Sequence, residues 1–345
     1  MTMNRRKLLG YGAQLSALLA LGVPGRAAAE TRSVPFSLDF RIYGGNSPFF
    51  LGNAAGIYEN AGFTAALEGA SGSADCVRRL ATGTHDFGFA DIMTLIEFSA
   101  ANPDGAPRLI MPILDHSPAS IMTIGGDKIT SLEQLKGKKI GVAANSAATK
   151  IMPGILKLNN IAPDEIEFTA VDVRIRDTML LKGEVDGVVG YDYTSVFNFV
   201  GNGVKREDIN ILYFSDFGFD FPANALIASQ KMIDQEPELC KAVALGAARA
   251  WGAAYKDPGA AVDAAVAREP LLVRDVELQR LQFILDTHIS TESVKEHGIG
   301  YLEPERISKG LALMAEGFGL STQPKLEDFY ADGFLPDAQD LKILG

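Results

Sequence analysis

Cysteine is scarce. Only Cys76 and Cys240 occur in 345 residues, with no CxxC pair and no Cys/His cluster. That excludes a disulfide-stapled scaffold and argues against a metal site; two buried free thiols are favoured, with a bridge between them left open. Histidine is equally thin, and His85, His288 and His297 have no acidic or cysteine partner at ligand spacing, so they read as ordinary core or surface residues. Positive charge is in deficit: 32 Lys and Arg against 43 Asp and Glu leave a net charge of −11. A polyanion needs clustered cations, so no nucleic-acid partner is expected. There is no G-x-S-x-G elbow and no Ser/His/Asp order for nucleophilic catalysis. The Gly44-Gly45 turn lacks the G-x-x-x-x-G-K-[ST] phosphate loop. After residue 23 no apolar run is long enough to span a bilayer.

What is present begins at the N-terminus. Asn4-Arg5-Arg6-Lys7 is a basic start, residues 8–23 are mostly apolar, and Ala27-Ala28-Ala29 is a small-residue cleavage pattern. Together they predict a secretory signal over 1–29 and a mature chain exported to the periplasm. The paired arginines are similar to a twin-arginine signal, and the choice between that route and the general one stays open. The segment holds four cations and no acid, so its removal takes the charge from −11 to −15. A hydrophobic fraction of 47% with 35 Gly and 16 Pro is that of a globular protein. The length suits two domains.

Strand and helix signals alternate along the chain. Residues 38–42 alternate as a strand and run into the glycine-rich turn 43–48; a helix is expected over 49–60 and a strand over 63–67. Residues 69–91, GASGSADCVRRLATGTHDFGFAD, then read as turn, helix, turn and buried strand. Ser73 is placed to cap the helix, Gly83 to stop it, and Asp91 to cap the next helix where the strand ends. After the apolar strand 108–114 the rhythm breaks at 115–118 and a second series starts, with strands at 121–124, 140–143, 166–171, 185–190 and 209–214. The chain crosses back through an aromatic and acidic turn, 215–223, to a strand at 224–229 and a long helical tail. The alternation predicts an α/β protein with two mainly parallel, Rossmann-like units. The expected layout is 30–117 for the first part of lobe 1, 118–223 for an inserted lobe 2, and 224–345 for the return to lobe 1 with C-terminal helices. Two crossings make a hinge, and the cleft between lobes is where a ligand belongs.

Four stretches carry a family resemblance: GIYENAGF at 56–63, LATG with DFGFAD at 80–91, SLEQLKGKKIGV at 131–142, and LKGEVDG at 181–187. In order and spacing they resemble the solute-binding proteins of ATP-driven importers, in the SsuA/THI5-like (NMT1) group. The resemblance implies a type II periplasmic-binding fold, two lobes on a two-strand hinge, that closes on a small molecule. It further implies a monomer that needs no cofactor and docks on a membrane permease with its cytoplasmic ATPase. Ligands across that group include thiamine-precursor pyrimidines, alkanesulfonates and taurine, nitrate, riboflavin and aromatic acids. The same name covers pyrimidine synthases that consume their own histidine, but these carry a CCCFC-like cysteine run for iron, which this chain lacks.

The residues expected at the cleft are Tyr43, Asn46, Ser71, Ser73 and Asp91 from the first unit. His116 stands at the first crossing. Asn145, Ser146, Tyr191, Asp192 and Tyr193 come from the second unit, and Asp216 and Phe217 from the second crossing. Aromatic rings at strand ends suit stacking on a planar ring, and carboxylates suit N–H donors or a cation. Asp192, between two tyrosines, is the strongest candidate in the second unit. No arginine is expected at the mouth apart from Arg174, so an anionic ligand would rely on helix N-termini. The expectation is therefore a binder of an aromatic nitrogen heterocycle, such as a thiamine-precursor pyrimidine, and not an enzyme. A sulfonate, nitrate or aromatic-acid binder is the alternative, and a ligand-presenting partner of a sensor shares every feature.

Overall fold

The computed structural model describes residues 31–125, 128–143 and 146–344. The expected signal segment 1–29 and Asn145 lie outside them. The chain first lays down strands β1 (Arg32–Ser37), β2 (Phe63–Glu68), β3 (Phe87–Asp91) and β4 (Arg108–Pro112). It then builds β5 (Ala119–Ile124), β6 (Lys139–Val142), β7 (Glu167–Ala170), β8 (Gly187–Tyr191) and β9 (Ile209–Tyr213) before returning as β10 (Asn224–Ala228). Two sheets result, ordered β2-β1-β3-β10-β4 and β7-β6-β8-β5-β9.

Each sheet is mainly parallel, as expected, but mixed, with one of its five strands reversed. β1 runs parallel to β2 and β3, whereas β10 is antiparallel to β3 and β4. In the second sheet β6 is parallel to β7 and β8, whereas β5 is antiparallel to β8 and β9. The cause is the crossing itself. A chain that enters a sheet from the other lobe starts its strand where the neighbouring strands end. Asn224 thereby pairs with Asp91, and Ala119 with Tyr191. The carboxyl ends of the parallel strands, where α/β sheets present ligand sites, thus meet the first residues of the crossing strands.

Local structure departs from the sequence pattern at two places. The expected strand 38–42 is a bend; the strand is β1, which includes Pro35. Proline is tolerated there because β1 pairs with β3 only at Phe36 and Ser37. The alternation over 38–42 reflects packing, with Leu38 in the core and Phe40 and Ile42 against it. The expected helix 49–60 is two helices, Ser47–Ala54 and Ile57–Asn60, broken at Gly56, whose φ of 68° lies in the left-handed region.

The first lobe's core is closed by helices Pro237–Lys256 and Pro258–Arg268 from the tail. Trp251 is fully buried there, its ring 6.0 Å from Phe49 and 5.9 Å from Phe89. Helix Pro304–Gly317 does not stay with that lobe: its Gly317 abuts Ile151 and its Leu313 approaches Gly154 on the second-lobe helix Ala147–Leu158. Both cysteines are free and buried. Burial pushes the Cys76 thiol up to about 12, which leaves it inert. Phe219 and Phe221 are core residues, stacked with ring centroids 6.0 Å apart. A Cβ on Gly310 would stand 2.1 Å from the Phe221 ring. Gly310→Ala is expected to cost about 1–3 kcal/mol by overpacking, read from the urea midpoint.

Candidate ligand site between the lobes

The first lobe contributes Asp39, just past the end of β1, which the sequence pattern did not single out. Its carboxylate accepts hydrogen bonds from Tyr43 Oη at 3.0 Å, Asn46 Nδ2 at 3.3 Å and Asn224 Nδ2 at 3.1 Å. Burial pushes this carboxyl up to about 6 against the pull of the Tyr43 and Asn46 bonds. Asp91 ends β3 and does cap the helix Ile92–Ala101, Oδ1 accepting the Thr94 N–H at 2.9 Å and the Thr94 hydroxyl at 2.9 Å. Burial raises its carboxyl as well. Tyr191, from the other lobe, approaches it and opposes that rise, yet Oδ2 is buried without a well-formed hydrogen bond. A buried carboxylate oxygen left so is costly, and it can accept a further donor.

The second lobe answers with Tyr191, Asp192 and Tyr193 at the end of β8 and the start of helix Asp192–Gly201. The Tyr193 ring lies nearly parallel to that of Tyr43, with centroids 6.1 Å apart and planes at 17°. Its hydroxyl donates across the lobes to Asn224 Oδ1 at 3.4 Å. Asp192 does not fit the leading role expected of it. Oδ1 accepts from the Tyr193 N–H at 2.5 Å and contacts His288 Nε2 at 3.0 Å, and Oδ2 accepts from Tyr213 Oη at 2.6 Å. With both oxygens engaged, Asp192 serves the hinge.

The other expected residues divide. Tyr43, Asn46, Asp91, Tyr191 and Tyr193 come together. Ser73 joins them, not as a helix cap but by accepting the Asp91 N–H at 3.0 Å; Gly72 occupies the cap position. Ser71 is exposed and its amide donates to Asp75. Ser146 precedes its helix without a side-chain capping bond. Asp216 is exposed on the turn Phe214–Phe217, and Phe217 packs on the second lobe. His116 sits at the hinge, its Nε2 3.0 Å from Ser215 Oγ and its Nδ1 3.3 Å from His288 Nδ1. Burial and the neighbouring His288 hold its pKa below the usual value. The histidines do have acidic partners in space: His288 meets Asp192, and His85 lies 3.2 Å from Glu68. Arg174 is exposed and paired with Asp172, whereas a buried arginine absent from the sequence reading, Arg280, enters between the lobes from helix Arg274–Ile284. Among the described residues there is no cluster that could hold a metal ion and no helix long and apolar enough to cross a membrane.

Two α/β sheets, each with one crossing strand reversed, facing each other over polar strand ends, make up the bilobal periplasmic-binding-protein fold. Residues 45–261 match the family model described as NMT1/THI5 like, and the chain belongs to that family. The aliphatic sulphonate-binding protein SsuA of Escherichia coli has the same fold, with a TM-score of 0.66 over 87% of this chain and 97% of that one at 12% identity. The riboflavin-binding protein RibY of Chloroflexus aurantiacus is 21% identical over 300 residues, 84% of this chain and 82% of that protein. The 4-amino-5-hydroxymethyl-2-methylpyrimidine phosphate synthase of Schizosaccharomyces pombe is 22% identical over 188 residues, 53% of each chain.

The raised Asp39 carboxyl has a signed consequence. The folded state keeps a proton up to about pH 6, whereas the unfolded chain releases it near 3.8, so the buried charge costs stability above that window and the cost fades on acidification. Asp39→Asn carries no such term. Its stability relative to the unmodified chain is expected to rise by about 3 kcal/mol as pH increases through that window. Urea titrations of both proteins across that range test this, and parallel curves would refute it.

Proposed function

We propose that this protein is an exported receptor that captures a small planar molecule between its lobes and delivers it to a membrane importer without chemical turnover. The ligand class favoured is an aromatic nitrogen heterocycle bearing N–H donors, such as an aminopyrimidine related to thiamine precursors. The observation that carries this reading is the buried Asp91 Oδ2, approached by Tyr191 but without a well-formed hydrogen bond, with the parallel Tyr43 and Tyr193 rings on the same cleft. A ligand N–H would satisfy the carboxylate, and a flat ring would extend the aromatic stack. The ligands named for RibY and for the Schizosaccharomyces pombe synthase's product are likewise planar nitrogen heterocycles. Delivery to a permease with its ATPase follows from the family's importer members. A synthase reading has the fungal relative in its favour, but the cysteine-rich run expected of such enzymes is missing from the sequence.

A thermal-shift screen of aminopyrimidines, riboflavin, taurine and longer alkanesulfonates, nitrate and aromatic acids tests the ligand class, because a ligand that binds only the folded state raises Tm. Shifts with sulfonates or nitrate alone would sink the heterocycle reading. Loss of one charge-assisted hydrogen bond is worth about 1.5–3 kcal/mol, so Asp91→Asn is expected to weaken binding by about ten- to hundredfold in calorimetry with an intact circular dichroism spectrum. An unfolded Asp91→Asn would mean that the residue is needed as a cap alone.

A further inference from the structure

Helix Arg274–Ile284 and the wider turn that continues it, Leu285–Ile289, belong to the first lobe by their apolar side, with Leu281, Ile284, Leu285 and Ile289 in that lobe's core. Their polar side chains reach elsewhere. Glu277 Oε2 accepts the Gly44 N–H at 2.6 Å, next to Tyr43 in the first lobe. The same carboxylate takes Arg280 Nε at 2.9 Å, and Arg280 Nη1 donates to the Tyr193 carbonyl oxygen of the second lobe at 2.6 Å. The Arg280 guanidinium also lies 5.7 Å from the Tyr43 ring centroid and 5.2 Å from that of Phe197, one ring from each lobe. About two helical turns further along, at the hinge, His288 places Nε2 3.0 Å from Asp192 Oδ1 and Nδ1 3.1 Å from the His116 carbonyl oxygen.

Arg280 alone of the three crosses the cleft, to the Tyr193 carbonyl oxygen and the Phe197 ring; Glu277 ties it to the Gly44 turn within the first lobe, and the His288 contacts belong to the hinge. The Glu277 and Arg280 contacts fall on or next to the residues that carry the two facing rings. Gly44 follows Tyr43, and a Cβ at Gly44 would stand 2.2 Å from the Glu277 carbonyl oxygen, so the turn is pressed against this helix by its backbone. On the other side Asp192 and Tyr193 open the second-lobe helix. Glu277, Arg280 and His288 have relative exposures of 7%, 5% and 0%, where an ion pair is poorly screened and the loss of one partner strands the other.

We propose that Glu277 and Arg280 form a built-in clasp that holds the two lobes closed and positions Tyr43 and Tyr193 face to face before any ligand arrives. Ligand capture then requires the clasp to open, and the ligand adds to a closed state that the protein already favours. Glu277 and Arg280 are positioning residues here, acting through the backbone of the turns that bear the tyrosines. The claim concerns the cleft proposed for the ligand but does not depend on which ligand it takes.

Small-angle X-ray scattering on the ligand-free protein tests it, together with amide hydrogen exchange at Gly44. The unmodified chain is expected to scatter as the closed form and to protect the Gly44 amide. Arg280→Met is expected to enlarge the radius of gyration and to speed Gly44 exchange at least about tenfold, while Arg280→Lys, which keeps a cation but not the fork, restores part of the compaction. Glu277→Gln keeps the size, removes the charge, and is expected to open the lobes in the same direction, so the question is answered even if Arg280→Met does not fold. A ligand-free unmodified chain that already scatters as an open form would overturn the clasp. So would variants that melt earlier without expanding, since that is what a purely structural ion pair predicts. Because no ligand enters the measurement, its outcome is separate from that of the ligand screen.

Discussion

A buried carboxylate must find donors or give up its charge, and three of them govern the space between these lobes. Asp39 and Asp91 in the first lobe and Asp192 in the second are all withdrawn from water. Each meets the requirement differently. Asp192 is engaged at both oxygens, and those bonds draw Tyr213, His288 and its own helix start into one hinge. Asp39 gathers Tyr43, Asn46 and Asn224, yet burial still leaves its pKa raised. Asp91 is satisfied on one oxygen only. The graded supply of donors is what distinguishes the three carboxylates from one another.

Those carboxylates can meet because the chain crosses between lobes twice and reverses one strand in each sheet. The reversed strand β10 sets Asn224 opposite Asp91, with its side chain reaching Asp39. β5, in the same way, starts opposite Tyr191. A wholly parallel sheet would place the ends of its strands in line but would bring no strand beginning among them. The bilobal topology is therefore the means by which polar groups far apart in sequence share one buried volume.

Much of this was legible in residue patterns. The two α/β series and the crossings near 115–118 and 215–223 followed from periodicity and turn residues, and the family resemblance from short motifs, with which the NMT1/THI5-like match agrees. Of the residues expected at the cleft, Tyr43, Asn46, Asp91, Tyr191 and Tyr193 are brought together; Asp91 and Tyr191 end real strands, recognisable from the apolar runs before them, whereas Tyr43 and Asn46 follow a bend where a strand was expected. Asp39 was missed because the alternation over 38–42 imitates a strand and hides the bend that turns its carboxylate inward. Arg280, Glu277 and His288 were missed for a different reason: on a helix of the tail they look like any polar face, and nothing local says that this face meets the other lobe.

The sequence by itself determined which segments become strands and helices, since that depends on side-chain period, caps and breakers within a few residues. It also carried the family resemblance, through short motifs and their order, and the family model matches residues 45–261. Only the tertiary structure decided that Asp192 belongs to a hinge, that Ser73 holds Asp91 rather than its own helix, and that an arginine stands in the cleft. Hydrogen-bond partnership in a low-dielectric interior is set by which groups are brought within about 3 Å of each other. That distance between residues such as Arg280 and Tyr193 is fixed by packing and topology, and no local pattern encodes it.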